Sequence, residues 1–185
     1  MYRAAVLDFL DTDVPPESRD EWTRHFAAET QKSEVATHSA VVFRLSQEWF
    51  ALPTHVLEEI ADLRPIHSLP GRKGIILGLV NIRGRLVIGV SLHELLSLER
   101  ASQPIDRAAP SGRLLVLRHD SHCVAAPADE VAGTIRYAPH TAREVPSTVA
   151  KAAAKYTRAV LDCDQGPVGC LDEQLLLPAL AGRLS

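Results

Sequence analysis

The sequence predicts a mainly β protein built as two small barrels with short helices. Three observations carry this. Short apolar runs recur along the chain, bounded by Gly, Pro, Asp and Ser turn residues. Two of these runs flank a Gly-containing loop, a strong hairpin signal. The strands also fall into two successive groups, each followed by a helix-start signal, which favours two barrels over one sandwich.

The 185 residues, 46% of them hydrophobic, suffice for one compact domain or two small subdomains sharing a core. Twenty Lys and Arg face 23 Asp and Glu, a formal net charge of −3. No global basic field draws such a chain to nucleic acid or an anionic membrane. The charge is uneven, however. Residues 1–39 hold four basic and eight acidic residues, while the remainder is nearly balanced. Residues 64–85 contain Arg64, Arg72, Lys73, Arg83 and Arg85 and no acid, a local patch suited to carboxylates.

The elements follow in order. The start carries no secretory signal pattern, and no apolar run approaches the ~20 residues of a membrane span. After Pro15-Pro16, Ser18 and Glu21 have capping-box spacing, and Trp22 and Phe26 share a helix face. Residues 31–39 read as a polar linker. Residues 41–45 and 48–52 form a strand pair about the turn Ser46-Gln47, stopped by Pro53. Residues 54–60 read as one helical turn entering an extended segment. Residues 75–80 and 86–90 flank Asn81-Ile82-Arg83-Gly84-Arg85 as a hairpin, and Ser91-x-x-Glu94 caps a helix over 93–98. After a linker at 103–112, strands are expected at 113–118, 123–126 and 131–137. A helical turn is expected within 146–156, then a hairpin of 158–163 and 168–171. A capped helix at 172–180 is expected to be short, kinked or late-starting, because Pro178 removes an interior hydrogen bond.

Few groups point to catalysis. Arg118-His119-Asp120-Ser121-His122-Cys123 contains the residue types of a nucleophile triad, but adjacency is not triad geometry, and Asp120-Ser121 is ordinary turn chemistry. His67, His93 and Glu94 lack metal-ligand spacing. Cys123, Cys163 and Cys170 form no CxxC and read as reduced thiols of a cytosolic protein. Phosphate-binding glycine motifs are absent. Aromatics make up 5% and none lies in residues 64–85, against the stacking platforms of a nucleic-acid-binding barrel. No cofactor is expected. Gly78 and Gly84 read two ways: as bends of barrel strands, or as places where a partner backbone approaches closely.

The run Gly78-Leu79-Val80-Asn81-Ile82-Arg83-Gly84-Arg85, continued by the apolar Leu86-Val87-Ile88, resembles the signature of the CheW-like family of chemotaxis coupling proteins. Val41-Val42-Phe43 before Trp49-Phe50-Ala51-Leu52-Pro53 is similar to the family's opening hairpin. Val56-Leu57-Glu58-Glu59-Ile60, His67-Ser68-Leu69-Pro70-Gly71 and Asp129-Glu130-Val131 match further ordered elements. The resemblance covers about residues 40–182. It implies two SH3-like five-stranded barrels on a common core, without catalytic activity. It implies an adaptor bridging the cytoplasmic tip of a methyl-accepting chemoreceptor to the regulatory domain of a CheA-type histidine kinase, in cytoplasmic arrays at membrane-bound receptors. Carried onto this chain, the receptor- and kinase-binding residues are Leu57, Glu59, Gly78, Val80, Asn81, Ile82, Arg83, Gly84 and Arg85, with Glu59 near Arg83.

Glu59 and Arg83 are candidates for a bidentate pair fixing the hairpin. Asn81, the sole asparagine, is placed to hold the loop through its side chain. The chain departs from the family in having Gly89 and Ser91 where Pro and Asp are usual. The serine, with the His-Ser-Leu-Pro and Val-Asn-Ile-Arg-Gly variants, also resembles coupling proteins of Wsp-type surface-sensing systems that control cyclic-di-GMP output. Two other readings are a small hydrolase using His122 or Cys123 and a scaffold that self-associates in arrays. The expected organisation is an acidic extension with one helix at 1–39 and a CheW-like domain at 40–185. Its subdomains are about 40–100 and 110–185, with chain ends crossing between them.

Overall fold

A computed structural model describes residues 38–71, 74–98, 112–120, 122–145 and 151–183. The expected helix around Trp22, most of the linkers at 31–39 and 103–112, and residues 146–150 lie outside the described residues. The chain divides into two units, residues 1–37 and 38–185, and every described strand and helix belongs to the second.

Among the described residues, ten strands form two five-stranded sheets. In chain order they are β1 (His38–Leu45), β2 (Glu48–Pro53), β3 (Leu57–Asp62), β4 (Ile76–Ile82), β5 (Arg85–Val90), β6 (Arg113–His119), β7 (His122–Ala128), β8 (Glu130–Tyr137), β9 (Thr157–Cys163) and β10 (Gly166–Leu171). Three α-helices accompany them: α1 (Leu92–Leu96), α2 (Lys151–Tyr156) and α3 (Glu173–Ala181). The sheet orders are β8-β1-β2-β10-β9 and β3-β6-β7-β5-β4.

Neither sheet is contiguous in sequence. The first half of the chain gives its opening hairpin, β1–β2, to the sheet of β8–β10. The second half gives β6–β7 to the sheet of β3–β5. A boundary between residues 40–100 and 110–185 therefore does not separate the barrels. The exchange is sealed by two parallel pairings, β2 with β10 and β5 with β7. A repeat underlies it: Arg44, Trp49, Ala51 and Pro53 occupy the same relative positions as Arg118, Cys123, Ala125 and Pro127. Each hairpin-to-strand passage also carries a bulge. Glu58 is the extra residue between the pairs Leu57–Leu117 and Glu59–Val116, and Ala132 between Gly133–Val42 and Val131–Phe43.

Burial explains the apolar runs. One face of β1 (Phe43, Leu45) enters a core shared with β6 (Leu115, Leu117), α1 and α3, while Ala40 and Val42 fill the first barrel. On β6, Leu114 and Val116 fill the second barrel with Val80, Ile82 and Val87. Strands buried on both faces lose the apolar–polar alternation.

Three boundaries differ from the expectation. The β4 and β5 strands run on to Ile82 and from Arg85, leaving only Arg83-Gly84 as the loop. Helix α1 spans Leu92–Leu96 instead of 93–98, because the Ser91 hydroxyl accepts a hydrogen bond from Glu94 N at 3.2 Å and starts it there. Helix α3 begins at Glu173 under its Asp172 cap and runs through Pro178. Pro178 faces solvent, so its ring costs one backbone bond but no packing, while Leu176, Leu177 and Leu180 stay buried.

Candidate functional site

The β4–β5 hairpin ends in a two-residue turn. Arg83 (φ 50°) and Gly84 (φ 85°) both take positive φ, as a type I′ turn requires. Asn81 Oδ1 accepts a hydrogen bond from Gly84 N at 2.8 Å, which spans the turn from its base. The tip is thereby held rigid while remaining exposed.

Arg83 Nε lies 2.8 Å from Glu59 Oε2 on β3; the arginine side chain is 82% exposed and the glutamate 20%. The pair ties the hairpin tip to the strand at the opposite edge of its sheet. Beside it lies a second cluster that sequence reasoning missed. Glu58 Oε1 accepts from Arg85 at 2.6 Å. Its Oε2 lies 2.9 Å from an Arg118 guanidinium nitrogen and accepts from the Cys123 thiol at 2.8 Å. These hydrogen bonds and cations, the Cys123 bond foremost, hold the Glu58 carboxyl down at about 2 against the desolvation that opposes them.

The local sequence explains the geometry. Along β5, Arg85 shares the face of Val87; along β6, Arg118 shares that of Val116; along β7, Cys123 shares that of Ala125. Val87, Val116 and Ala125 line the interior of the second barrel, so the polar residues sit at its mouth. The bulge re-aims Glu58 toward them. A register pairing places Arg118 opposite Cys123, on either side of the turn. The spacing of those two residues about Asp120-Ser121 held that signal; the bulge left none in a single sequence.

The expected site residues separate into two sets. Leu57, Glu59, Asn81, Arg83, Gly84 and Arg85 retain exposed or half-buried surface. Val80 and Ile82 are 0% and 1% exposed and pack in the barrel interior, so they are absent from the surface. Gly78 is buried as well, with φ 143°; a Cβ there would lie 2.0 Å from the carbonyl oxygen of His67. The close backbone approach is thus made by the chain's own residue 67, which pairs with Leu79 through two 2.8 Å hydrogen bonds. Leu86, outside the expected set, is the most exposed large apolar side chain among the described residues, at 70%.

Ser121 lies outside the described residues; among the described residues of that segment, no histidine is paired with Cys123. His119 and His122 pair across the turn at the ends of β6 and β7, and His119 Nε2 lies 3.7 Å from Asp120. Burial, with the Glu58 carboxylate adding to it, pushes the Cys123 thiol up, the reverse of what a thiolate nucleophile needs. His93 is buried against Asp129 at 3.5 Å, whereas Glu94 and His67 are exposed elsewhere. Among the described residues no cluster of three His, Cys, Asp or Glu is arranged to hold a metal ion, and no helix is long and apolar enough to cross a membrane.

Fold and surface together define a double SH3-like barrel presenting one braced hairpin. A family model of the CheW-like domain matches residues 39–181. The chain belongs to the CheW-like family. Fifteen chains of known structure are similar to it. One is the scaffolding protein TtCheW from Thermoanaerobacter tengcongensis, with a TM-score of 0.60 and 18% identity over 73% of this chain and 84% of that one. At that identity the likeness attests to the fold. No curated protein sequence matches.

Proposed function

We propose that this protein is a non-catalytic adaptor that couples chemoreceptors to a CheA-type histidine kinase, working in the cytoplasm on membrane-bound receptor arrays. The observation that carries the reading is the hairpin: the signature residues 78–85 end in an exposed tip braced by Asn81 and by the Glu59–Arg83 pair. A rigid tip loses little conformational freedom on docking. The binding surface then consists of Leu57, Glu59, Asn81, Arg83, Gly84 and Arg85, with Gly78, Val80 and Ile82 supporting it from beneath. Residues 40–185 form the coupling module and 1–39 an extension to it.

Co-sedimentation with receptor-bearing membranes and with the kinase tests this. Wild-type protein is expected to pellet with both. Arg83→Glu reverses an exposed charge whose loss costs the fold little, so receptor recruitment should fall by about tenfold while thermal unfolding is unchanged. Recruitment by neither partner refutes the adaptor reading. Unchanged recruitment of the variant moves the interface off the hairpin.

A further inference from the structure

The geometry points to a second row of binding groups on this surface: Arg85 and Arg118, clamped by Glu58 at the mouth of the second barrel, form with Arg83 a guanidinium strip that takes the carboxylates of an acidic receptor segment. The inference rests on the hairpin being the receptor-binding element and extends that element across the sheet from β5 to β6.

Exposure is the first argument. The side chains of Arg83, Arg85 and Arg118 are 82%, 53% and 58% exposed, whereas Glu58 and Glu59 are each 20% exposed. The carboxylates are turned inward and the cations outward. Occupancy is the second. Both oxygens of Glu58 are engaged, one by Arg85 and the other by Arg118 and Cys123. Its depressed pKa keeps it charged, so the clamp holds at any physiological pH. Each guanidinium offers five donors, more than a single carboxylate can accept. Three cations against two carboxylates also leave the strip net positive.

Energetics decide between a stabilising and a binding role. Exposed ion pairs contribute under about 1 kcal/mol each, so stability alone does not account for two clamped clusters side by side. Pre-orientation does: an arginine already fixed by one carboxylate gives up less freedom when it meets another, and its planar fork suits bidentate capture.

The test measures binding of the full-length protein to a purified receptor cytoplasmic fragment and, separately, to the kinase regulatory domain, at low and high salt. Arg118→Glu is expected to weaken receptor binding by about tenfold and Arg118→Ala by about threefold. Both should flatten the salt dependence, and Arg118→Lys should restore part of the loss. Glu58→Gln keeps all three cations but weakens their clamp, and should reduce receptor binding less than Arg118→Glu. The inference is overturned if Arg118→Glu binds the receptor within about twofold of wild type while Arg83→Glu does not. It is also overturned if the loss is confined to the kinase domain, or if binding falls only in step with the unfolding midpoint. Wild-type protein that binds neither partner fails the adaptor reading itself, a separate outcome.

Discussion

Replacing Gly78 with alanine should unfold a specific corner of the second barrel. The new Cβ would stand 2.0 Å from His67 O, 2.6 Å from His67 C and 2.9 Å from Ser68 Cα. Cβ atoms essentially never come within 3.0 Å of a backbone neighbour. The 67–68 backbone must therefore retreat by about 1 Å. That movement breaks the reciprocal bonds between His67 and Leu79, both 2.8 Å long. Each is worth about 1 kcal/mol net. Holding alanine at φ 143° adds about 1–3 kcal/mol of backbone strain. The combined loss is about 3–5 kcal/mol, a large share of the roughly 5–15 kcal/mol typical of a folded domain. Urea unfolding followed by far-UV circular dichroism reads this as a lower midpoint at unchanged slope. A loss below about 1 kcal/mol would refute the reasoning, because the His67 backbone would then yield to a Cβ at little cost.

Two further outcomes test neighbouring features. Gly89 lies opposite Gly78 on β5, but a Cβ there meets only side-chain atoms of Ile66 at close range, at 3.1 and 3.3 Å. Since Ile66 can shift by a few tenths of an ångström, Gly89→Ala should cost no more than about 1 kcal/mol in the same urea assay; a cost equal to that of Gly78→Ala would contradict the distinction. Glu58, whose folded pKa is lowered from 4.5 to about 2, contributes stability that is fully present above its ordinary value and is lost as the pH falls through the folded one. Glu58→Gln should therefore flatten the acid limb of stability between pH 4.5 and about pH 2, and an unaltered limb would show that the clamp adds nothing.

Much of this was readable from the residues. Turn chemistry located the hairpins, because Gly84, Asp120 and Gly166 sit where positive φ is needed. The Arg83–Glu59 brace came from family resemblance, and its geometry appears at 2.8 Å. What escaped has a common cause: it depends on pairings between distant strands. The bulge at Glu58 exists only relative to β6, so the motif drew attention to Glu59 and passed over its neighbour. Val80 and Ile82 entered the expected binding set with the signature motif, yet alternation along β4 turns them into the barrel. Gly78 offered two meanings, and only the position of His67 distinguishes them. The exchange of hairpins joins distant strands, and it shows only in the pairing of β1–β2 with β8–β10 and of β6–β7 with β3–β5.

That exchange makes the chain a mutual clasp. A cut between α1 and β6 yields two pieces, each holding three strands of one barrel and two of the other. Neither piece can close a sheet alone, but together they have every strand. Co-expressed halves should therefore reassemble without a linker and bury the shared core only as a pair. Assembly of one barrel from such halves would therefore always signal assembly of the other.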